Sequence, residues 1–258
     1  MRFGVCVPVA SAALARQQGW DFVEENIQTL FQGQLPDAQW QNLAPIKQAP
    51  LPVLAANCLI PGSMKITGPC VDFAAVTQYI THVMARARQA GTKTLVFGSA
   101  GARNVPEGFD RQQARQQILD FLTMAVPLAA RNGVTLVAEP LNKGESNIIN
   151  TVAEAMTYVK AINQPAFQCL VDAYHFNLDG DSLEDLRAAM PWIKHVHLAD
   201  REGRVAPGAS GKTDYRPIFK VLKEGKYDGA LAVEAIPFDL ANQGAAALAF
   251  IKKQWSEA

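Results

Sequence analysis

Four side chains that could bind a metal ion stand at the ends of four successive apolar runs in the second half of the chain. They are Glu139, Asp172, His197 and Glu234. Neighbouring parallel strands lie about 4.8 Å apart, so side chains at matching strand ends can converge near one point. The spacing therefore predicts one site that is built by all four residues.

The residue types in this site indicate a divalent cation. Three carboxylates placed together repel one another and need a positive charge between them. Carboxylates with one imidazole suit Mn²⁺, Mg²⁺ or Co²⁺ with positions open for substrate oxygens, whereas a structural zinc site more often has cysteine ligands. His195 and His197 face the same side of one strand, and His197 is the predicted ligand because it lies nearer the strand's C-terminal end.

The elements that must position these residues are short apolar runs separated by longer stretches with helical spacing. Several runs are apolar almost throughout, which is typical of parallel strands that are covered on both faces. The eight predicted strands are Phe3–Val7, Trp20–Glu24, Val53–Asn57, Thr94–Gly98, Val134–Glu139, Gln168–Asp172, His195–Ala199 and Ala230–Ala235.

The stretches between the later strands carry helix signals. Gly91 is a C-cap candidate, and Thr151 with Glu154 is typical of a capping box. Pro127 is expected to kink or divide its helix. The predicted helices are Asp72–Ala90, Arg111–Asn132, Val152–Ile162, Asp181–Met190, Tyr215–Gly225 and Asn242–Trp255.

Alternating β and α units imply parallel strands joined by right-handed crossovers. Eight such units in 258 residues favour a closed (β/α)₈ barrel over an open doubly wound sheet. No linker or change in composition indicates a second domain, so we predict a single domain over residues 1–258. The long loops 58–69, 99–109 and 201–213 follow strands and are expected at the C-terminal face, where the active sites of barrels are built.

Charge and composition exclude several classes of protein. The formal net charge is +0, whereas nucleic-acid binding requires a basic surplus that neutralises phosphates. No apolar run approaches the ~18 residues of a transmembrane helix, and the start of the chain lacks the pattern of a signal peptide. The four cysteines show no metal-site spacing and are expected to be reduced thiols. We therefore expect a cytoplasmic protein with no nucleic-acid or membrane partner.

The stretches around the four ligand candidates resemble the xylose isomerase-like barrels, a family of sugar isomerases and epimerases. The resemblance covers essentially the whole chain. The segment Pro207–Tyr215 is similar to the family's loop after strand seven, although Ala209 and Ser210 make it one residue longer than the usual form. The four clearest stretches are Ala138–Asn142, Val171–His175, His195–Asp200 and Asp228–Glu234.

The resemblance implies roles for individual residues. Glu139, Asp172, His197 and Glu234 would bind one metal ion, and Glu139 and Glu234 would exchange a substrate proton through a cis-enediolate. His175 and Arg204 resemble the residues that contact substrate oxygens in this family, and Arg201 is a nearby alternative to Arg204. The implied substrate is a small sugar or keto acid, of the hydroxypyruvate isomerase or ketose 3-epimerase type. The oligomeric state, including a homo-oligomer, stays open.

Two other activities are compatible with the same family. An inosose-type dehydratase would use the same metal site and would lose a β-hydroxyl after proton abstraction. An abasic-site endonuclease would need three zinc ions and more histidines than the four in this chain, namely His82, His175, His195 and His197. A non-catalytic sugar-binding barrel is the third alternative.

Weaker candidates lie near the same end of the predicted barrel. The sequence places Glu24 at the end of strand two, where it would touch a substrate hydroxyl or form a salt bridge. Three loop residues could bind distal hydroxyls or a phosphate, or could simply be solvated: Asn57, Lys65 and Arg103. Two aromatic residues could line a sugar pocket or belong to the core, namely Trp20 and Phe109.

Overall fold

The computed structural model describes all 258 residues, and its eight parallel strands form a closed barrel. Each strand pairs with the next one along the chain, and the eighth pairs with the first. Every predicted strand overlaps an observed one, so the predicted (β/α)₈ barrel is confirmed. The strands are β1 Arg2–Cys6, β2 Phe22–Asn26, β3 Val53–Asn57, β4 Thr94–Phe97, β5 Thr135–Ala138, β6 Phe167–Asp172, β7 Ile193–Leu198 and β8 Ala230–Val233.

Helices surround the barrel, and short 3₁₀ turns lie at Val9–Ser11, Asp37–Gln39 and Met190–Trp192. None of the helices combines the length and the apolar character that a membrane-spanning segment requires. The α-helices are α1 Ala12–Gln17, α2 Ile27–Leu30, α3 Leu43–Gln48, α4 Phe73–Ala90, α5 Ala100–Arg103, α6 Arg111–Arg131, α7 Val152–Ile162, α8 Ala173–Asp179, α9 Leu183–Ala189, α10 Arg216–Glu224 and α11 Leu240–Glu257.

The helix ends follow the local sequence signals. Gly91 ends α4 in the left-handed region with φ 87°. The Thr151 side chain caps α7 by accepting a hydrogen bond from the backbone N–H of Glu154. The Glu154 carboxylate accepts in return from the backbone N–H of Asn150, one residue before the cap. The reciprocal bonds of a capping box are therefore present, displaced by one residue on one side.

Pro127 does not divide its helix, because α6 continues unbroken from Arg111 to Arg131. Pro127 lies on the exposed side of α6, so water can reach the carbonyl that proline leaves without a partner. The buried residues Phe121, Leu122 and Ala125 hold the opposite side of α6 in the core. The expectation of a divided helix is therefore wrong.

The barrel interior is filled in layers along its axis. The ring of Phe22 occupies the space where a Cβ of Gly4 would lie, and it packs with Ala230 and Ala232. Side chains two residues apart on a strand face the same side, so Glu24 lies in the next layer toward the C-terminal end. Outside this interior, a continuous core of 67 buried residues contains members of all eight strands. Such a core is compatible with the predicted single domain.

Arg103 is buried in the structure and is neither solvated nor available to a substrate. Its Nη1 donates a hydrogen bond to the carbonyl oxygen of Phe97 at 2.7 Å, and Nη2 donates to those of Glu139 at 2.8 Å and Ile149 at 3.3 Å. Its exposed fraction is 0%. The guanidinium therefore joins the ends of β4 and β5 to the loop that follows β5, and it supports the backbone of Glu139.

We expect Arg103→Met to lower the free energy of unfolding by about 3 kcal/mol, because three buried carbonyl oxygens lose a charged donor. The measurement is urea unfolding followed by circular dichroism. Arg88→Met, at an exposed position of α4, is the matched control and should change stability by no more than about 0.5 kcal/mol. Equal losses in the two variants would contradict the structural role of Arg103.

Candidate active site

The structure brings together the four side chains that the sequence nominates as metal ligands. Glu139 directly follows β5, Asp172 ends β6, His197 lies in β7 and Glu234 directly follows β8. One ligand atom from each residue lies within 4.8 Å of the ligand atoms of the other three. A second group with the same property consists of Glu24, His195 and His197.

His197 belongs to both of these groups and to a third, which consists of Cys6, His197 and Glu234. It presents a different ring nitrogen to each of the first two groups. Its Nδ1 lies 2.8 Å from Oε1 of Glu139 and 3.6 Å from Oε2 of Glu234. Its Nε2 lies 3.0 Å from Oε1 of Glu24. The other oxygen of Glu24 contacts Nε2 of His195 at 2.7 Å. The two histidines face the same side of β7, as their spacing predicts.

Glu24 forms salt bridges with two histidines, and a salt bridge is one of the two roles that the sequence suggests for this residue. Its side chain and those of His195 and His197 are completely buried. Although burial opposes it, the charges and hydrogen bonds of the two histidines hold the pKa of Glu24 well below its usual range. Glu24 is therefore an ionised carboxylate that has both oxygens occupied by imidazoles.

The two carboxylates that could exchange a proton have different environments. Burial opposes the change, but the hydrogen bond and the charge of His197 hold the pKa of Glu139 below its usual value. Burial raises the pKa of Glu234 to about 8, and repulsion from Glu139 adds to this although His197 and Arg204 oppose it. Near neutral pH and without a metal ion, one carboxylate is ionised and the other carries a proton. Such separation is typical of acid and base pairs in enzymes.

His175 lies beside Asp172 with one ring nitrogen free. Its Nδ1 contacts both the backbone N–H of Asn142 at 3.2 Å and the Asn142 side-chain nitrogen at 2.8 Å. Because these groups are donors, Nδ1 accepts and Nε2 carries the proton. This Nε2 is buried without a hydrogen-bond partner and lies 3.7 Å from Oδ2 of Asp172. The orientation leaves an N–H available to an oxygen atom in the site.

Of the two arginines in the loop after β7, Arg204 reaches the site and Arg201 is exposed. The Nη2 of Arg204 donates to Oε2 of Glu234 at 2.7 Å, and Nη1 lies 3.3 Å from Oε1 of Glu145. Its guanidinium lies over the ring of Tyr174, 5.0 Å from the centroid. The residue adopts a left-handed backbone with φ 53°, which is uncommon for a non-glycine residue.

Three residues at the site were missed or undervalued at the sequence level. Asn57 is buried, not solvated, and its Nδ2 donates to Oε1 of Glu234 at 2.7 Å. Asn142 orients His175, and Glu145 pairs with Arg204. Asn142 belongs to the stretch Ala138–Asn142 that carries the family resemblance, whereas the only signal for Glu145 is its position on the loop after β5.

Gly98 directly follows β4, and the side chain of Glu139 leaves no room for a larger residue there. A Cβ at Gly98 would overlap Oε2 of Glu139. The absent side chain lets the carboxylate turn into the site.

The remaining candidates lie outside the site. Lys65 is exposed and donates to the carbonyl oxygen of Gly101. Trp20 belongs to the buried core, and Phe109 packs partly buried against it. His82 lies in α4 with its Nδ1 against the carbonyl oxygen of Gly33. The site therefore lacks the additional histidines that a trinuclear zinc centre would need.

The chain is similar to several curated sugar epimerases. The 3-dehydro-D-guloside 4-epimerase of Escherichia coli is 34% identical over 121 residues, which are 46% of this chain and 45% of that protein. The D-psicose 3-epimerase of Agrobacterium fabrum is 33% identical over 103 residues, 40% of this chain and 35% of that protein. The chain thus spans less than half the length of these two relatives.

Solved structures with the same architecture include two epimerases. A 3-keto-D-glucoside 4-epimerase from E. coli superposes with a TM-score of 0.82 at 24% identity over 98% of this chain and 99% of that one. A D-psicose 3-epimerase from Clostridium cellulolyticum, determined with D-tagatose, gives 0.85 at 17% identity over 99% of both chains. At these identities the likeness concerns the fold.

Most of the chain matches the model of one protein family. Residues 12–254 match the model described as xylose isomerase-like TIM barrel. This range extends from α1 to α11 and includes β2 to β8 and all four ligand candidates. The chain therefore belongs to the xylose isomerase-like TIM barrel family.

Proposed function

We propose that the protein is a divalent-metal-dependent sugar epimerase or isomerase that transfers a proton through a cis-enediolate, of the ketose 3-epimerase or hydroxypyruvate isomerase type. The observation that carries the proposal is the convergence of Glu139, Asp172, His197 and Glu234 within 4.8 Å of one another. The matching relatives that are named as epimerases support it.

The donor set fits one Mn²⁺, Mg²⁺ or Co²⁺ ion. Three carboxylates and one imidazole supply the hard oxygen and nitrogen ligands that these ions accept. The group of Glu24, His195 and His197 fits less well, because it has only one carboxylate and its three side chains are completely buried. When bound, the ion would act as a Lewis acid that stabilises negative charge on the substrate oxygens.

Glu139 and Glu234 are the residues that we propose to move the proton. Removing a proton from the carbon beside a carbonyl requires a positioned base. The ionised Glu139 can take the proton as a base, and Glu234 can return one after it has taken up a proton from solvent. Return to the opposite face of the same carbon gives the epimer, whereas return to the neighbouring carbon gives the isomer.

His175 and Arg204 are proposed to bind the substrate oxygens. The free Nε2–H of His175 has no protein partner, and Arg204 contacts Glu234 directly. Donors already directed at the oxygen that gains charge stabilise the enediolate without reorganisation. Glu145 would keep the guanidinium in place through its ion pair with Arg204.

Glu24 is proposed to position His197 for the metal ion. By accepting from Nε2, it leaves Nδ1 directed at Glu139 and Glu234. A carboxylate behind a metal-binding histidine fixes the ring and its tautomer. Glu24 would therefore act through His197, since its two oxygens contact the imidazoles.

We expect Glu234→Gln to lower the rate of proton exchange at least about 100-fold, because the amide cannot exchange the proton. The protein is incubated with Mn²⁺ in D₂O, and NMR follows deuterium entering ketoses, hydroxypyruvate and inososes. Glu184→Gln, at an exposed position of α9, is the control and should retain the full rate. An unchanged rate of deuterium exchange in Glu234→Gln would rule out the proposed proton transfer by Glu234.

Metal affinity should depend on pH. The carboxyl of Glu234, with a pKa of about 8 in the metal-free protein, must lose its proton to become a ligand. The loss of this one proton should therefore make the apparent Kd for Mn²⁺ rise by up to about tenfold for each pH unit below 8. Calorimetric titration at pH 6, 7 and 8 measures this, and Glu234→Gln should show a shallower dependence. An affinity that is constant over this range would contradict the prediction.

Glu24→Gln should weaken Mn²⁺ binding about 10- to 100-fold. The amide oxygen can accept from one histidine, and the amide N–H₂ group then opposes the other. Metal titration gives the affinity, and circular dichroism checks that the barrel is intact. We expect saturating Mn²⁺ to restore much of the turnover, which a residue in contact with the substrate would not allow. Unchanged affinity in a folded variant would rule out the positioning role.

A further inference from the structure

A cavity of about 280 Å³ opens beside Glu234 at the C-terminal ends of β1, β2, β3 and β8. We call it the distal cavity. Its polar lining comes mainly from β2 and the start of α2, and Ile236 stands at its edge with an exposed fraction of 61%. The lining residues that matter here are Glu25, Asn26, Thr29, Asn57, Glu234 and Ile236.

The distal cavity adjoins the proposed reaction site, because Glu234 belongs to both. One oxygen of this carboxylate accepts from Asn57 of the cavity lining, and the other faces Arg204 and His197. A substrate with its reacting carbon at Glu234 can therefore place its further carbons in the cavity. The strands that carry the four metal-ligand candidates do not line the cavity, apart from the end of β8.

Three carboxyl groups line the cavity, those of Glu24, Glu25 and Glu234, and no lysine or arginine does. Glu24 is paired with two histidines, and Glu234 is protonated in the metal-free protein and would be a metal ligand in the loaded one. The uncompensated negative charge therefore comes from Glu25, although burial raises the pKa of its carboxyl. Arg204 is not in the lining and is already paired with Glu145 and Glu234. The Glu25 carboxylate keeps its place by accepting a hydrogen bond from the backbone N–H of Val9 at 2.6 Å. A carboxylate or phosphate beside Glu25 would face a like charge, and no lysine or arginine lines the cavity to compensate it, which is unfavourable.

The size of the cavity also separates the candidate substrates. At about 280 Å³, it approaches the roughly 300 Å³ at which small-molecule sites begin. Hydroxypyruvate has three carbons, two of which carry the oxygens of the enediolate, so it would send only a carboxylate into this space. A ketose of five or six carbons would send hydroxylated carbons, whose hydroxyl groups can pair with Asn26, Thr29 and Glu25.

We propose that the distal cavity binds the hydroxylated carbons of a neutral polyhydroxy ketone, and that Glu25 excludes substrates that end in a carboxylate or phosphate, including hydroxypyruvate. This inference rests on the proposed function, because it takes Glu234 as the point where the reacting carbon lies. Within that function it selects neutral sugars over keto acids.

The test compares ketoses with their C6 carboxylates, which keep the same keto end. Calorimetry on the Mn²⁺-loaded protein measures binding of D-fructose against D-fructuronate, D-tagatose against D-tagaturonate, and hydroxypyruvate. We expect at least one ketose to bind at least about tenfold tighter than its carboxylate and than hydroxypyruvate. Glu25→Gln keeps an acceptor for Val9 and removes the charge, so it should reduce this preference at least about threefold. Glu184→Gln should leave the preference unchanged.

Each outcome decides the proposal. Equal binding of ketose and carboxylate, tighter binding of hydroxypyruvate, an unchanged preference in Glu25→Gln, or no binding of any ketose would overturn it. Deuterium exchange measured in parallel tests the proposed function separately. Selective binding without exchange would support the cavity assignment and remove the epimerase reaction, whereas exchange with hydroxypyruvate alone would keep proton transfer and overturn the cavity assignment.

Discussion

The imidazole of His197 contacts carboxylates from three other strands, and the rest of the site depends on those contacts. Buried carboxylates are stable only when a positive charge or donors compensate them. In the metal-free protein the compensation comes from His197, since its pKa is raised well above the usual value by Glu24, Glu234 and Glu139 although burial opposes this. A proton on this ring and a metal ion beside it are alternative ways to neutralise the same cluster.

The barrel interior explains how such a cluster can persist. Phe22 packs against Gly4, Ala230 and Ala232, so an apolar layer lies next to the layer of Glu24 on its N-terminal side. Glu24 then presents its charge upward to the two histidines of β7. Along the barrel axis, the apolar layer of Phe22 is followed by the buried ionic layer of Glu24 and the histidines of β7. The four ligand candidates follow at the C-terminal end of the barrel.

The parts of this arrangement that follow from local patterns could be predicted from the sequence. The strand positions follow from the periodicity of apolar residues. The helix caps and the four ligand candidates follow from the residue types at the ends of helical stretches and apolar runs. The missed contacts join residues that are remote in the chain. The pairing of Glu24 with His195 spans the barrel from β2 to β7, and Asn57 meets Glu234 from β3 to the end of β8. Such pairs depend on strand tilt and register, which local periodicity does not encode.

Arg103 illustrates the same limit for burial. A loop arginine in a glycine-rich segment is typical of an exposed residue, yet three carbonyl oxygens of the surrounding backbone hold this one in the interior. The short helix α5 places it there, and hydrogen bonds from Asn104 and Val105 join the loops after β4 and β5. Contacts between two loops do not follow from the local sequence of either one.

The missing side chain of Gly98 has a consequence for substitutions at this position. Because the Glu139 carboxylate fills the volume of the absent Cβ, the two positions are constrained as a pair although 40 residues separate them in the chain. A side chain at position 98 would displace this carboxylate from the site. A substitution directly after the fourth strand would therefore act on a residue that directly follows the fifth.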